Sequence, residues 1–340
     1  YCTIQYRVMI GVGTSLLFGK RAGKAGPPIP PFNKAMVDAW FMSGLSNADK
    51  PSSIRGVKGN EMVLKNFAYA LNSGFGEYKV DFTKYTGSNT TSNSISIYKE
   101  AGIDKGFATI GYNQLESDIP SYSIEIKGLA SGQVLYYYRN NEGLENNVSY
   151  NKDGIYELPI CYKEGTQGIS MGFTINTVDE ITITQLPSAY EGALVFDGVD
   201  DYGICNNLPI LNDYTVICRR VIENDTNVVA SKSIVAGNGA FIFEYANNAT
   251  YSFSEYTSGL AVNLKDSVSH QTKNSYNGST ITVGNADDTD TLTLGIIREG
   301  DSRLLKGAIY YFALYNKSLT IEEIETEKEK LNEEWLKRKN

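Results

Sequence analysis

The stretch Ala193-Leu-Val-Phe-Asp-Gly-Val-Asp-Asp-Tyr202 decides how this chain reads. Its apolar run stops at Asp197-Gly198. A short apolar run closed by a turn signal reads as a buried strand, and glycine supplies the φ > 0 conformation a tight turn needs. The flanking sequence follows the same pattern. Downstream, strands are expected near 214–222, 227–234, 240–246, 250–254, 259–264, 279–283, 291–298 and 306–315. Upstream, from residue 76, the period is two in Tyr78–Phe82, Ser94–Tyr98 and Tyr122–Ile126. Gln133–Arg139, Ile155–Ile160, Ile169–Thr174 and Glu180–Thr184 continue the series, broken by turns such as Asn141-Glu-Gly143 and Lys152-Asp-Gly154. About seven short strands at this spacing predict a β-sandwich over 76–188. The later series predicts a second β-domain over 189–325.

A helix is expected to close the chain, with 326–340 as its far end. Thr320 and Glu323 form a capping box, and Ile321, Ile324, Leu331 and Trp335 fall on one side. Lys337-Arg338-Lys339 suits the negative end of the helix dipole.

The net charge of −8 conceals a divided chain. Residues 1–75 carry nine Lys/Arg against three Asp/Glu, and the remainder carries 22 against 36. The basic part also holds Gly26-Pro-Pro-Ile-Pro-Pro31, which must be extended. Residues 1–75 therefore read as a docking arm or a solvated linker. Two short helices are expected in it, Phe32–Ser43 and Asn60–Asn72. Trp40 lies on the first, and Leu64, Phe67 and Leu71 mark one apolar face of the second. Such a face must be buried against a partner, which points to assembly. The basic residues are sparsely interleaved with aromatics, so nucleic acid is the weaker partner class.

Composition narrows the function. The chain has 340 residues, 41% hydrophobic, with 24 Tyr, 32 Gly and a single histidine, His270. Tyr, Gly, Asn, Ser and Thr in this abundance suit an extracellular or virion β-protein. The longest apolar run, Val8–Phe18, is interrupted by Gly11, Gly13, Thr14 and Ser15, so no membrane span is expected. The chain opens on Tyr1 instead of Met, which suggests processing or a longer precursor and leaves room for a lost signal peptide. The four cysteines form no metal motif and read as buried thiols, with a Cys205–Cys218 bridge as the alternative.

The quoted stretch resembles the opening strand of LamG-like, concanavalin A-like jelly-roll domains. Asp213-Tyr-Thr-Val-Ile-Cys-Arg219 occupies the place of that family's second core strand. Leu305-Lys-Gly-Ala-Ile-Tyr-Tyr-Phe-Ala-Leu-Tyr-Asn316, followed by Ser318-Leu-Thr-Ile-Glu-Glu-Ile324, is similar to its closing strand and short helix. The segment from Lys34 through Gly56-Val-Lys-Gly-Asn60 to Ala68 resembles leader regions of LamG-bearing proteins in phages and prophages of gut Bacteroides-type bacteria. Asp179–Pro187 is similar to them as well. The resemblance implies a jelly roll over 189–325 and a virion appendage with a docking N-terminus and sugar-facing β-domains. The implied partners are copies of itself in a homotrimer, capsid or tail proteins, and host-surface or mucus glycans. The virion surface is the implied location.

Catalytic patterns are weak. Concanavalin A-like hydrolases place two carboxylates on one strand in the spacing E-x-D-x-x-E, and no such pair is found. Glu142 and Glu145 stand in a Gly/Asn turn, and Asp200 and Asp201 would point to opposite faces of a strand. His270 lacks a nucleophile elbow and reads as a loop or surface residue. Binding fits better. Tyr137, Tyr245, Tyr251 and Tyr256 are the carbohydrate-binding candidates, because a tyrosine ring stacks on a sugar face while its hydroxyl hydrogen-bonds. Tyr136 and Tyr138 are candidates beside the first, but adjacent tyrosines alternate faces, so only part of the set can be exposed together. Asp197, Asp200 and Asp201 are candidate Ca²⁺ ligands, with turn chemistry as the plainer reading, and Asp287, Asp288 and Asp290 are read the same way. No other cofactor is expected. The leading expectation is a non-enzymatic structural virion protein, a head or tail fibre. The alternatives are a bacterial cell-surface glycan-binding protein and a glycoside hydrolase.

Overall fold

The computed structural model describes residues 31–99, 104–111, 114–115, 117–163, 169–177, 180–223, 226–233, 240–247, 250–253, 256–281 and 289–339. The basic stretch before residue 31, Cys2 and the Asp287–Asp288 pair lie outside them. The protein is mainly β. In its first part the strands are β1 (Met36–Phe41), β2 (Ser53–Arg55), β3 (Glu61–Lys65) and β4 (Gly74–Glu77). A second group holds β5 (Asn89–Thr90), β6 (Ser94–Ile97), β7 (Gly106–Gly111), β8 (Tyr122–Lys127) and β9 (Val134–Arg139). It continues with β10 (Glu145–Tyr150), β11 (Gly154–Leu158), β12 (Ile169–Ile175) and β13 (Ile181–Gln185). Then come β14 (Ala189–Asp197), β15 (Tyr202–Cys205), β16 (Thr215–Ile222), β17 (Thr226–Lys232), β18 (Phe241–Asn247), β19 (Thr250–Phe253) and β20 (Tyr256–Ala261). The last are β21 (Ser267–Thr272), β22 (Ser275–Tyr276), β23 (Ser279–Thr280), β24 (Leu292–Leu294) and β25 (Lys306–Tyr315), followed by the helix α1 (Ile321–Lys339).

These strands form four antiparallel sheets. Sheet I has the order β23-β22-β21-β16-β25-β14-β4, with β1 also on β25. Sheet II runs β2-β3-β15-β24-β17-β18-β19-β20. Sheet III is β10-β9-β12-β7, and sheet IV is β11-β8-β13-β6-β5. Trp40, Leu194 and Phe312 of sheet I share one hydrophobic cluster with Met62, Phe243 and Leu292 of sheet II. Ile110, Tyr136 and Phe173 of sheet III share another with Ile97, Ile124 and Ile183 of sheet IV.

β25 shows why the closing apolar run is so long. Along one edge it pairs with β16. Along the other it meets β14 through residues 306–309 and β1 through residues 311–315. One face of the strand joins the cluster shared with sheet II, and the other lies under α1 with Leu331 and Trp335. A strand covered on both faces has no polar alternation to show.

The two helices expected in the N-terminal part are strands. Residues 36–41 form β1, and β3 covers 61–65, with Met62 and Leu64 inward and Glu61 and Lys65 outward. The apolar positions that suggest a 3.6 period are divided between that strand and a loop. There Asn66, Tyr69 and Leu71 take φ values of 66°, 55° and 41°, incompatible with a helix. Trp40, Leu64 and Phe67 are core residues of this chain, and Leu71 is half-buried. They are not a face awaiting a partner. Nor do residues 36–77 form a separate arm, since β1 and β4 belong to sheet I and β2 and β3 to sheet II. Asp38 ties this region down. Its buried carboxylate accepts from the backbone N–H of Ala39, Lys58 and Asn60 and from Asn60 Nδ2, at 2.7–2.9 Å. Gly56 lies so close that any Cβ there would strike the Asp38 carboxylate.

Sheets III and IV, the smaller body, are therefore an insertion in the larger body formed by sheets I and II. Among the described residues strands β5–β13 pair only with one another, between β4 and β14, which pair with each other at Glu77 and Ala189. The two crossing segments are clamped by Gln185. Its amide accepts from the N–H of Lys79 and Val80 and donates to the Val80 carbonyl at 2.7 Å.

α1 begins at the expected capping box: Thr320 N–H donates to Glu323 Oε2 at 2.9 Å, and Glu323 N–H donates to Thr320 Oγ1 at 3.2 Å. Ile324, Leu331 and Trp335 are buried against sheet I. The Arg219 guanidinium lies 4.5 Å from the Tyr310 ring centre and 4.7 Å from that of Trp335, an arrangement worth about 0.5–2 kcal/mol. Trp335 Nε1 donates to the Gly192 carbonyl at 2.8 Å.

Candidate functional site

Sheet III brings together the residues best placed to bind. The pairing register puts Asn147, Tyr137, Gly172 and Thr109 in one row across it, and Ser149, Leu135, Thr174 and Phe107 in the next. Both rows lie on the face away from the shared core, because Val134, Tyr136 and Phe173 fill the other face. Tyr136 packs at a tilt 5.1 Å from Phe173 and stacks 5.6 Å from Tyr138, which lies at the core's margin. The alternation expected of neighbouring tyrosines therefore holds, and Tyr137 is the one turned outward.

Gly172 stands beside Tyr137, where a Cβ would come within 2.8 Å of the Ala108 carbonyl and the Thr109 methyl. That space is already filled, so glycine is what lets β12 pack this closely against β7 beside the phenol. Phe107, 49% exposed, gives a second ring on the same face. Sequence reading missed it because Gly106–Gly111 was not among the expected strands. At the rim, Arg139 donates to the Gly143 carbonyl at 2.8 Å and lies 3.7 Å from Glu145. Two separated rings among Asn, Ser, Thr and an Arg/Glu pair can stack on flat apolar faces while exchanging hydrogen bonds with hydroxyls. Tyr245, Tyr251 and Tyr256 lie on β18, β19 and β20 at one end of sheet II, and their side chains lie outside the described residues.

The Asp197, Asp200 and Asp201 carboxylates do converge, each offering an oxygen within 4.8 Å of the others. A hard cation takes such ligands. The turn already uses much of that capacity. Asp197 Oδ1 accepts from the N–H of Val199 at 2.7 Å, and Asp201 accepts from Ser73 Oγ and Asp197 N–H at 3.0 and 3.1 Å. Burial, then the charges of Asp197 and Asp200, push the Asp201 pKa up to about 7.

A buried polar cluster went unread in the sequence. Arg220 and Glu244 are fully buried and joined side by side, one from each large sheet. Tyr276 donates to Glu244 at 2.7 Å, and Arg220 also donates to Ser269 at 2.9 Å. Burial works against the Arg220 charge, but Glu244 more than offsets this and its pKa is raised. Glu244 sits at φ 50°, a strained conformation for a strand residue. His270 is also a correction: it lies on β21, 6% exposed, and is neither a loop nor a surface residue. Cys161, Cys205 and Cys218 are free and buried, so the Cys205–Cys218 bridge is not formed. Among the described residues no helix is long and apolar enough to cross a membrane.

Neither the protein-family models nor the curated proteins compared with this chain match it.

Proposed function

We propose that this chain is a non-enzymatic display protein of a tailed-phage virion, a head or tail appendage whose smaller body binds glycans. In this reading the larger body is a LamG-like jelly roll and the smaller one a β-sandwich. The residue-level resemblance at Ala193–Tyr202 and Leu305–Ile324 supports the first assignment, as does the core shared by two eight-stranded sheets. The observation that carries the binding role is the outer face of sheet III, with Tyr137 and Phe107 among hydroxyl and amide side chains. The partners are further copies of the chain in a homotrimer, capsid or tail proteins, and surface glycans. Strands β1–β4 lie within the larger body, so in this reading docking to the particle falls to the basic segment ahead of residue 31.

Quantitative mass spectrometry of purified particles tests the role. The reading expects this chain at a fixed copy number divisible by three. Its absence from particles, with recovery from a bacterial surface fraction, would favour a cell-surface glycan-binding protein instead.

A further inference from the structure

His270 is the chain's only histidine and stands where a charge has no place. It lies on β21, opposite Ile217 of β16, on the face of sheet I covered by α1. Among the described residues neither ring nitrogen has a hydrogen-bond partner. A buried imidazole without partners is tolerable when neutral and costly when protonated.

The surrounding groups give a cation little support. α1 contributes Lys328 and Glu325, which pair with each other at 2.8 Å. Glu327 is taken by the Tyr315 hydroxyl at 3.0 Å and by Lys330 at 2.8 Å. On β16 the next charged residue along the face is Arg219, held by Asp266 at 2.7 Å. β25 puts Ala313 opposite Ile217, between Tyr311 and Tyr315, whose hydroxyls burial keeps protonated. β21 itself offers Val268 and Thr272, and the following turn offers Asn277, all uncharged. Burial first, then the Lys328 charge, push the His270 pKa down to about 4, against a smaller opposing effect of Glu325.

We propose that His270 is an acid-operated release for α1: when the imidazole takes up a proton, the helix leaves sheet I while the β-core stays folded. Local opening is the cheaper response because α1 belongs to none of the sheets, so its departure breaks no strand pairing. The departing helix uncovers Phe41, Tyr310 and Tyr311, an apolar patch that is closed at neutral pH. The sign follows from linkage. The docked state holds the neutral ring and the undocked state an ordinary one, so docking is at full strength above pH ~6.5 and weakens as pH falls toward ~4. At pH 5 the docking constant should be lower by about thirty-fold.

Hydrogen exchange on the intact chain at pH 7 and pH 5, corrected for intrinsic rates, reads this directly. Peptides of α1 should lose about thirty-fold in protection at pH 5, whereas β25 peptides keep theirs. His270→Leu should abolish the difference for α1. Should that variant fail to fold, NMR of the lone imidazole in the wild type decides. The proposal expects it to remain neutral while the helix is docked and to titrate in step with the loss of α1 protection. An imidazole titrating near its ordinary value with α1 still protected, or α1 and β25 losing protection together, overturns it.

Discussion

At the scale of single residues, the buried Arg220–Glu244 pair bears on stability most heavily. Both ions have left water, and each depends on the other to compensate. Glu244→Gln leaves Arg220 buried without its counter-ion, so urea unfolding should show a loss of about 3–5 kcal/mol. The double variant Arg220→Met/Glu244→Met should lose much less, because no charge is stranded. Asp201 gives the opposite kind of signal. Its pKa is raised to about 7, so the folded chain holds a proton that the unfolded chain releases near 4. Its contribution is present at low pH and is lost as pH rises through 7. From pH 6.5 to 8 the thermal midpoint of the wild type should fall while that of Asp201→Asn stays level. The turn's own N–H groups already satisfy Asp197, so EDTA should leave the wild-type midpoint unchanged. A drop on chelation would assign the three carboxylates to a bound cation.

At the scale of elements, what could be read depended on how local the deciding forces were. α1 was legible because its capping box and apolar face lie within one segment. β25 was legible from its uninterrupted apolar run. β3 was not, because Met62-Val63-Leu64 shows no alternation in the sequence, although the burial alternates, and Phe67, Ala68 and Leu71 extend its apolar positions into a false helical period. β7, β10 and β21 carry too many Gly, Asn and Ser residues to stand out, and pairing with stronger strands holds them. The Tyr137 site was half-legible: alternation limits how many tyrosines face outward, but only the register shows Gly172 and Phe107 beside it. The helix docking is testable at this scale. Trp335→Ala removes the ring that packs edge-on against Tyr310 and against the Arg219 guanidinium and should cost about 3–5 kcal/mol. Thr320→Ala removes only a cap and should cost about 1 kcal/mol. Guanidinium unfolding curves of the two variants compare them directly.

At the scale of the whole molecule, the larger body is built from distant parts of the chain. Met36 pairs with Tyr315 and Phe75 with Leu194, contacts that no local pattern announces. That non-locality is why residues 36–77 look like an arm when read alone. The insertion makes a further prediction. Since Glu77 and Ala189 already face each other, replacing residues 79–186 with a short glycine-containing turn should leave the larger body folded. Calorimetry of the intact chain should show two transitions, and the shortened chain should keep one. The central claim is that the face around Tyr137 and Phe107 binds glycans. It is tested most directly by binding of the intact chain to immobilised host-surface polysaccharides, with Tyr137→Ala and Phe107→Ala in parallel. The account predicts binding by the wild type that falls about tenfold or more in each variant, as loss of one stacking contact of ~1.5 kcal/mol requires. Unchanged binding in both variants, or no binding by the wild type, would contradict it.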